Sequence, residues 1–399
     1  MKVLQLTHKP PVPSIDGGCL AMRQITACLL DEQVEVKVVS IATAKHPIKN
    51  SEECIRYFDE TRFEAIAIDT KVKILQVIIS LFKKSSLQSD RFFSKEMVKK
   101  LETICSKEQF DVVILESVFV GKYIETIRKH SQARILLRVH NIEHLIWKRL
   151  AKQTKNPFKK AIYTYLTKSL KRFELSLFKI IDAYMPITDI DHLFFKKLFP
   201  ELPAKVIPFG INVSDYPLQA HKIDENKITF FHIGSMNWQS NIEGMTWFLE
   251  NIWKKVADNS KISLVLAGKG NQSIFGNNNL KNVQILDFVE SAQQFINEHD
   301  IMVVPLLSGS GMRIKIMEGL ALAKPIISTS IGAEGIDITD QENIFIADTP
   351  EKMIAIIEFC VNHVKKCEEI GKNARKLIEK KYTQDKIKKE LIEFLNFIS

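Results

Sequence analysis

Residues 301–336 read IMVVPLLSGSGMRIKIMEGLALAKPIISTSIGAEGI, and this stretch sets the class of the fold. It opens on a continuous apolar run, Ile301 to Leu306, of the kind found in strands buried on both faces of a parallel sheet. A Gly/Ser loop follows, then a helix running to Ala323, then PIISTS as the next strand. Gly309 and Gly311 can bring backbone amides close to a ligand, and the first helical turn is expected to hold Arg313 and Lys315. Cations at that end oppose the helix dipole, each at a cost of a few tenths to about 1 kcal/mol, unless an anion sits there and reverses the sign. A phosphate or diphosphate does so economically; the plain alternative is a glycine turn with two surface charges. Glu318, about one turn further along, could receive both hydroxyls of a ribose or simply pair with Lys315.

Outward from this segment the same alternation recurs. Before it come ITFFHIG (228–234), a helix from Asn241 to Val256, ISLVLAG (262–268) and VQILDFV (283–289); after it comes NIFIAD. The first half repeats the theme with VLQLT (3–7), a proline-rich turn, the pair Gly17 and Gly18, a helix from about Leu20 to Leu30, VEVKVVSI (34–41), VVILE (112–116) and RILLRV (134–139). Stretches 71–104 and 144–180 read as long, basic, amphipathic helices. Two prolines and a glycine in KVIPFGINVSDYP (205–217) mark a boundary. The expected organisation is α/β with two Rossmann-like domains, 1–205 and 206–382, facing across a cleft. A terminal helix, 383–399, follows, its stripe of Ile387, Leu391, Phe394, Leu395 and Ile398 packing back on the N-terminal domain. Ligands of such sheets bind beyond the carboxyl ends of the strands.

The length of 399 residues suits two or three domains, and 26% charged with 45% apolar residues excludes a disordered or fibrous chain. The apolar run ILQVIISLF (74–82) is far short of the ~20 residues a spanning helix needs. No secretory signal pattern opens the sequence. Six cysteines, Cys19, Cys28, Cys54, Cys105, Cys360 and Cys367, form no CxxC pair, which points to neither a zinc site nor a disulfide framework and fits a cytoplasmic protein. Residues 1–205 hold 35 Lys/Arg against 23 Asp/Glu, a surplus of 12, whereas 206–399 hold 21 against 24. Within the basic half, Lys148 to Arg172 has nine cations and no acid, interleaved with Trp147, Phe158, Tyr163 and Tyr165. Such a run is either a solvated helix face or a surface for something anionic.

These segments carry a resemblance. GMRIKIMEGLALAKPIIST resembles the nucleotide-sugar signature of GT-B glycosyltransferases of the glycosyltransferase family 4-like group (glycosyl transferases group 1). VIPFGINVSDY resembles that group's interdomain segment, HIGSMNW its first C-domain strand and phosphate loop, and LVLAGKG with VQILDFV the strands after it. In the first half only Gly17–Gly18 and the HNIEH region match clearly. The resemblance implies a nucleotide-sugar site made of Gly17, Gly18, Gly234, Ser235, Phe288, Val289, Gly309, Ser310, Gly311, Met312, Arg313, Ile314, Lys315 and Glu318. In it Phe288 and Val289 would grip the base through backbone groups. The chain departs from the pattern twice. Ser310 stands where the family has the first of its two glutamates, Glu318 keeping the second. The usual Arg and Lys after the first C-domain strand are also missing, a charge that Arg313 and Lys315 would supply from the neighbouring loop.

His140 directly follows the strand RILLRV, and the resemblance assigns a His there to the donor sugar. HNIEH (140–144) also matches H-x-x-E-H, so a zinc site with Glu143 as base is an alternative, as is a structural histidine. Trp238, Trp247 and Trp253 read as core or interdomain packing rather than a sugar platform. No GxGxxG fingerprint is present, because Gly268-Lys269-Gly270 and Gly309-Ser310-Gly311 lack the third glycine; this disfavours a nicotinamide dehydrogenase.

The reading is therefore a metal-independent hexosyltransferase, retaining as the resemblance implies, with His140, Arg313 and Lys315 as its catalytic group. It would need no cofactor beyond the nucleoside-diphosphate sugar as co-substrate. Its acceptor would be a saccharide or lipid-linked saccharide of surface polysaccharide or glycolipid synthesis, reached from the cytoplasm with peripheral contact to an anionic membrane and no nucleic acid. The alternatives are a GT-B nucleotide-sugar epimerase and a non-catalytic protein binding anions or nucleic acid, which would show steep salt dependence.

Overall fold

A computed structural model describes residues 1–71, 85–154, 156–219, 222–276, 280–309 and 311–399, with Gln153 described by its backbone alone. Of the expected helix over 71–104, residues 72–84 lie outside the described residues, and the described remainder is not one helix but a single turn, Leu87–Asp90, and a helix, Lys95–Lys107. The chain divides into two compact units, Met1–Phe209 with Ile387–Ser399, and Gly210–Lys386.

The first unit is built on a parallel sheet of β1 (Lys2–Thr7), β2 (Glu35–Ala42), β3 (Glu64–Ala67), β4 (Val112–Glu116), β5 (Arg134–Val139) and β6 (Ala183–Pro186). Their order is β3-β2-β1-β4-β5-β6, with Val3 opposite both Val36 and Val112. The strands are continuous apolar runs because both faces are covered. Val3, Val36, Val38, Val112 and Ile114 point into one core, while Leu4, Leu6, Val39, Ile41, Val113 and Leu115 point into the other. The first of these cores also takes Ile387, Leu391, Phe394, Leu395 and Ile398 from the terminal helix Gln384–Ile398. At roughly 1.5–3 kcal/mol per buried large aliphatic or aromatic side chain, that stripe is a substantial share of the unit's stability.

The basic stretch 144–180 is two helices, not one. Pro157 disfavours helical geometry in the residue before it and opens a second helix, Pro157–Leu177, whose N-cap Asn156 accepts from the Lys159 amide at 3.1 Å. The first, Glu143–Gln153, ends before that break. The short strands β3 and β6 and the helices Glu52–Thr61 and Asp189–Leu198 also emerge only in the structure.

The second unit repeats the topology. Its parallel strands are β7 (Ile228–Ile233), β8 (Ile262–Ala267), β9 (Val283–Leu286), β10 (Ile301–Val304), β11 (Ile326–Ser328) and β12 (Phe345–Ile346), ordered β12-β11-β10-β7-β8-β9. In both units the strand order reverses between the first and fourth strands, which is where doubly wound sheets open a crevice. The helix after β7 begins at Gln239 and passes through a π-helical turn at Leu249–Trp253, whose Trp253 is buried in the core. All six cysteines are free and buried. Among the described residues no helix is long and apolar enough to cross a membrane.

Candidate functional site

In the second unit the site grows from the carboxyl end of β7. His232 is buried, and its Nδ1 lies 2.8 Å from the Val303 carbonyl of β10. A carbonyl only accepts, so Nδ1 carries the hydrogen and Nε2 is left as an acceptor. Burial, then the neighbouring Lys315, hold this imidazole neutral, well below its ordinary pKa. Lys315 reaches over from the helix Ile314–Ala321: its Nζ lies 3.4 Å from His232 Nε2, 3.2 Å from the Ile233 carbonyl and 3.1 Å from Asn241 Oδ1. It thereby lies against Gly234, where an added Cβ would stand 2.8 Å from the ammonium. Burial, then Arg313, bring the Lys315 pKa down to about 7.

Arg313 is not in the helix's first turn. It occupies the N-cap position with extended backbone and makes no side-chain cap, and its side chain is 5% exposed rather than a surface charge. Its Nη1 donates to the Gly311 carbonyl at 2.8 Å and its guanidinium lies over the Trp238 ring at 5.5 Å. Gly309 must be glycine on two counts: its φ is +115°, and a Cβ would come within 2.6 Å of Arg313 Nη2. Trp238 is therefore a half-exposed partner of Arg313 and not core packing, which corrects the expectation for this residue; it sits in the turn before the helix Gln239–Phe248.

The remaining predicted residues are less concentrated. Ser235 follows Gly234 at the end of β7, and its hydroxyl accepts from the Asn237 amide at 3.2 Å. Met312 and Ile314 flank Arg313 and are partly buried, whereas Ser310 lies outside the described residues. Glu318 Oε1 accepts from the Tyr216 hydroxyl at 3.1 Å, and burial pushes its carboxyl up. Phe288 is 81% exposed and Val289 partly buried, both beyond the end of β9, which is shorter than VQILDFV suggested.

In the first unit Gly17 and Gly18 form no loop. They are the first residues of the helix Gly17–Asp31, capped by Asp16, whose Oδ1 accepts from the Cys19 amide at 2.9 Å. Lys9 Nζ bonds Asp16 at 2.7 Å and His46 Nε2 approaches it at 3.1 Å. Burial works to raise the Asp16 pKa, yet the bond from His46 and the charge of Lys9 hold it below the ordinary carboxylate range. This helix end already has its own anion. Asp16, Cys19 and His46 are the metal-capable group among the described residues, but Lys9 competes for the same carboxylate, and burial raises the Cys19 thiol to about 11.

His140 stands at the carboxyl end of β5 with its Nε2 2.8 Å from Oε2 of the fully buried Glu116, the last residue of β4. His144 is bonded instead to Glu174, which also accepts from the Glu143 amide at 3.0 Å. The two histidines thus serve different carboxylates and offer no shared zinc face. Burial, then Glu174, raise the Glu143 carboxyl to about 8. Sequence reasoning missed Glu116, His232, Asn241 and Tyr216. The available signal was a glutamate closing the otherwise apolar strand VVILE.

Comparison with known proteins bears on the family and the fold. The family model for glycosyl transferases group 1 matches residues 227–363. An uncharacterized 44.6 kDa protein from the cps region of Klebsiella pneumoniae is 26% identical over 307 residues, spanning 72% of this chain and 75% of its own. Among solved structures, Anabaena HepE in complex with UDP superposes with a TM-score of 0.66 at 14% identity over 100% of both chains. Sucrose-phosphate synthase from Thermosynechococcus elongatus gives 0.70 at 13%, over 100% of this chain and 99% of its own. WaaG, a glycosyltransferase involved in lipopolysaccharide biosynthesis, gives 0.64 at 12% over 100% of both. Residues 227–363 thus form a glycosyl transferases group 1 domain, in a chain of GT-B fold.

Proposed function

We propose that the protein is a retaining hexosyltransferase that moves a hexosyl group from a nucleoside-diphosphate sugar to an acceptor hydroxyl. The observation that carries this reading is the placement of Lys315 and Arg313. One lies against Gly234 at the strand-order reversal, the other at the N-terminus of the helix Ile314–Ala321, which has no acidic residue in its first turn and no side-chain cap. As the bond between the anomeric carbon and the diphosphate oxygen breaks, its electron pair leaves with the diphosphate, and these fixed cations with the helix amides stabilise that charge. The acceptor oxygen forms the new bond to the same carbon, and its proton passes to the departing diphosphate oxygen. Glu318, braced by Tyr216, would hold the ribose, and His140 would contact the donor sugar. No metal is needed in this scheme, so activity should survive EDTA.

Support for the biological setting comes from the cps-region relative and from WaaG, each by its own description. The helix Pro157–Leu177 adds a physical reason to expect an acceptor at an anionic surface: Phe158 is 81% and Ile162 51% exposed, beside the exposed Lys159 and Lys160. The test is a thermal-shift screen of nucleoside diphosphates followed by incubation of the stabilising nucleotide's sugars with and without acceptor glycans. Product only with acceptor, at the donor's anomeric configuration, is the expected result. An epimer from donor alone, or no stabilisation by any nucleotide, would refute it.

A further inference from the structure

The polar cluster at the carboxyl edge of the first sheet extends beyond His140. Gln5 on β1 is buried and its amide is fixed from both sides: Nε2 donates to the Met22 carbonyl at 3.1 Å, while Oε1 accepts from the Thr26 hydroxyl at 2.6 Å. A flipped amide would set oxygen against the Met22 carbonyl, so the second Nε2 hydrogen must go to Glu116 Oε1, at 2.8 Å. Glu116 Oε2 faces His140 Nε2 at 2.8 Å and the buried Arg138 Nε at 3.5 Å. A carboxylate with a guanidinium as counter-charge can only accept, so the His140 hydrogen lies on Nε2 and Nδ1 keeps its lone pair. The same residue's backbone carbonyl takes Nδ1 of His8, the residue after β1, at 2.7 Å. His8 is therefore the opposite tautomer, with its lone pair on Nε2. The two rings meet edge to face with centroids 6.4 Å apart.

We propose that Glu116 is a positioning residue that fixes His140 through its side chain and His8 through its carbonyl. Both imidazoles are thereby held as hydrogen-bond acceptors for the hydroxyl groups of a saccharide. Burial keeps both rings neutral, His8 at about 3, so neither becomes a donor on both nitrogens near pH 7. The part of this concerning a saccharide rests on the hexosyltransferase reading; the part concerning tautomers does not.

The two parts can be tested separately. In the unliganded protein labelled with 15N-histidine, long-range proton–nitrogen spectra at pH 7.5 should show His140 as the Nε2–H tautomer and His8 as Nδ1–H. Assignments come from His140→Ala and His8→Ala. In Glu116→Gln the locked Gln5 takes the new amide oxygen, leaving its NH2 to face His140, which should switch to Nδ1–H. His8, bound to a backbone carbonyl, should not change. Because Glu116→Gln leaves Arg138 buried without its counter-charge, the double variant Glu116→Gln/Arg138→Met is measured alongside. Turnover should fall at least tenfold in it, with nucleotide-diphosphate affinity unchanged. A wild-type His140 with hydrogen on Nδ1, or an unswitched His140 beside an unchanged His8 in the double variant, overturns the proposal. A correct switch that leaves turnover untouched overturns the saccharide role alone, whereas correct tautomers without transfer activity on any donor sink the hexosyltransferase reading.

Discussion

At pH 8 the Lys315 side chain should be mostly uncharged in the empty protein and should take up a proton when a diphosphate settles beside it. With a pKa of about 7, the neutral fraction is about 0.9 at pH 8 and about 0.1 at pH 6. A bound diphosphate adds negative charge next to the ammonium, favours its charged form and returns the pKa toward its ordinary value. Binding should therefore absorb close to one proton above pH 8, and affinity should fall about tenfold, or ~1.4 kcal/mol, per pH unit between 7.5 and 9. The ligand contributes little to this slope, since phosphate second ionisations lie near pH 6. Calorimetry with UDP, or with whichever nucleoside diphosphate stabilises best, in two buffers of different ionisation enthalpy counts the proton directly. Lys315→Met should abolish the uptake and flatten the slope. The sign for stability is opposite. The folded pKa is depressed, so between pH 7 and 10.5 the unfolded chain binds the proton that the folded one does not, and the empty protein gains stability as pH rises. Lys324, whose pKa burial lowers to about 8, adds a gain of the same sign, so only the difference between wild type and Lys315→Met isolates the site. Binding with no proton uptake at pH 8.5 and unchanged affinity in Lys315→Met would refute the assignment of Lys315 to the diphosphate.

Three other outcomes follow from the same geometry. Gly309→Ala places a Cβ within 2.6 Å of the Arg313 guanidinium at a φ of +115°, so turnover should drop at least tenfold while far-UV circular dichroism stays native. Leu391→Ala opens a cavity in the core that the terminal helix shares with β1 and β4 and should cost about 2–5 kcal/mol in urea unfolding. Sedimentation with anionic vesicles at low salt should fall roughly 30-fold in Lys159→Glu/Lys160→Glu, given ~1 kcal/mol per cation near such a surface, and neutral vesicles should not bind either form.

What could be read from the sequence follows from what each feature depends on. Strands such as VVILE and RILLRV coincide with β4 and β5 because burial on both faces forces an unbroken apolar run, and His140 and Gly234 stand out as strand ends. The four-residue β3 and β6 left no such run. Pro157 did announce the break in the basic stretch, but nine cations in one run suggested a continuous helix. Gly17 and Gly18 look like a loop until Asp16 is seen capping them as a helical turn. Glu116 was least legible. Its meaning lies in Gln5, 111 residues away, and in His8, 108 residues away, so no local pattern contains it.

The two units share a strand order and fill its reversal with opposite chemistry. In the second unit the helix after β10 starts without an acid or a cap, Arg313 and Lys315 stand at its entrance, and His232 turns a lone pair toward the ammonium. That arrangement gathers two basic side chains at one helix start and suits an anion. In the first unit the helix on the other side of the reversal, after β1, starts on Asp16, already matched by Lys9 and His46, and the strand ends present His8 and His140 as neutral rings. An anion brought there would meet a carboxylate and two lone pairs, whereas a hydroxyl would meet two acceptors. On the proposed reading, the same topology separates charge stabilisation from hydroxyl recognition. A substitution at Lys315 should change how binding depends on pH and salt, and one at Glu116 should change turnover on the sugar without touching that dependence.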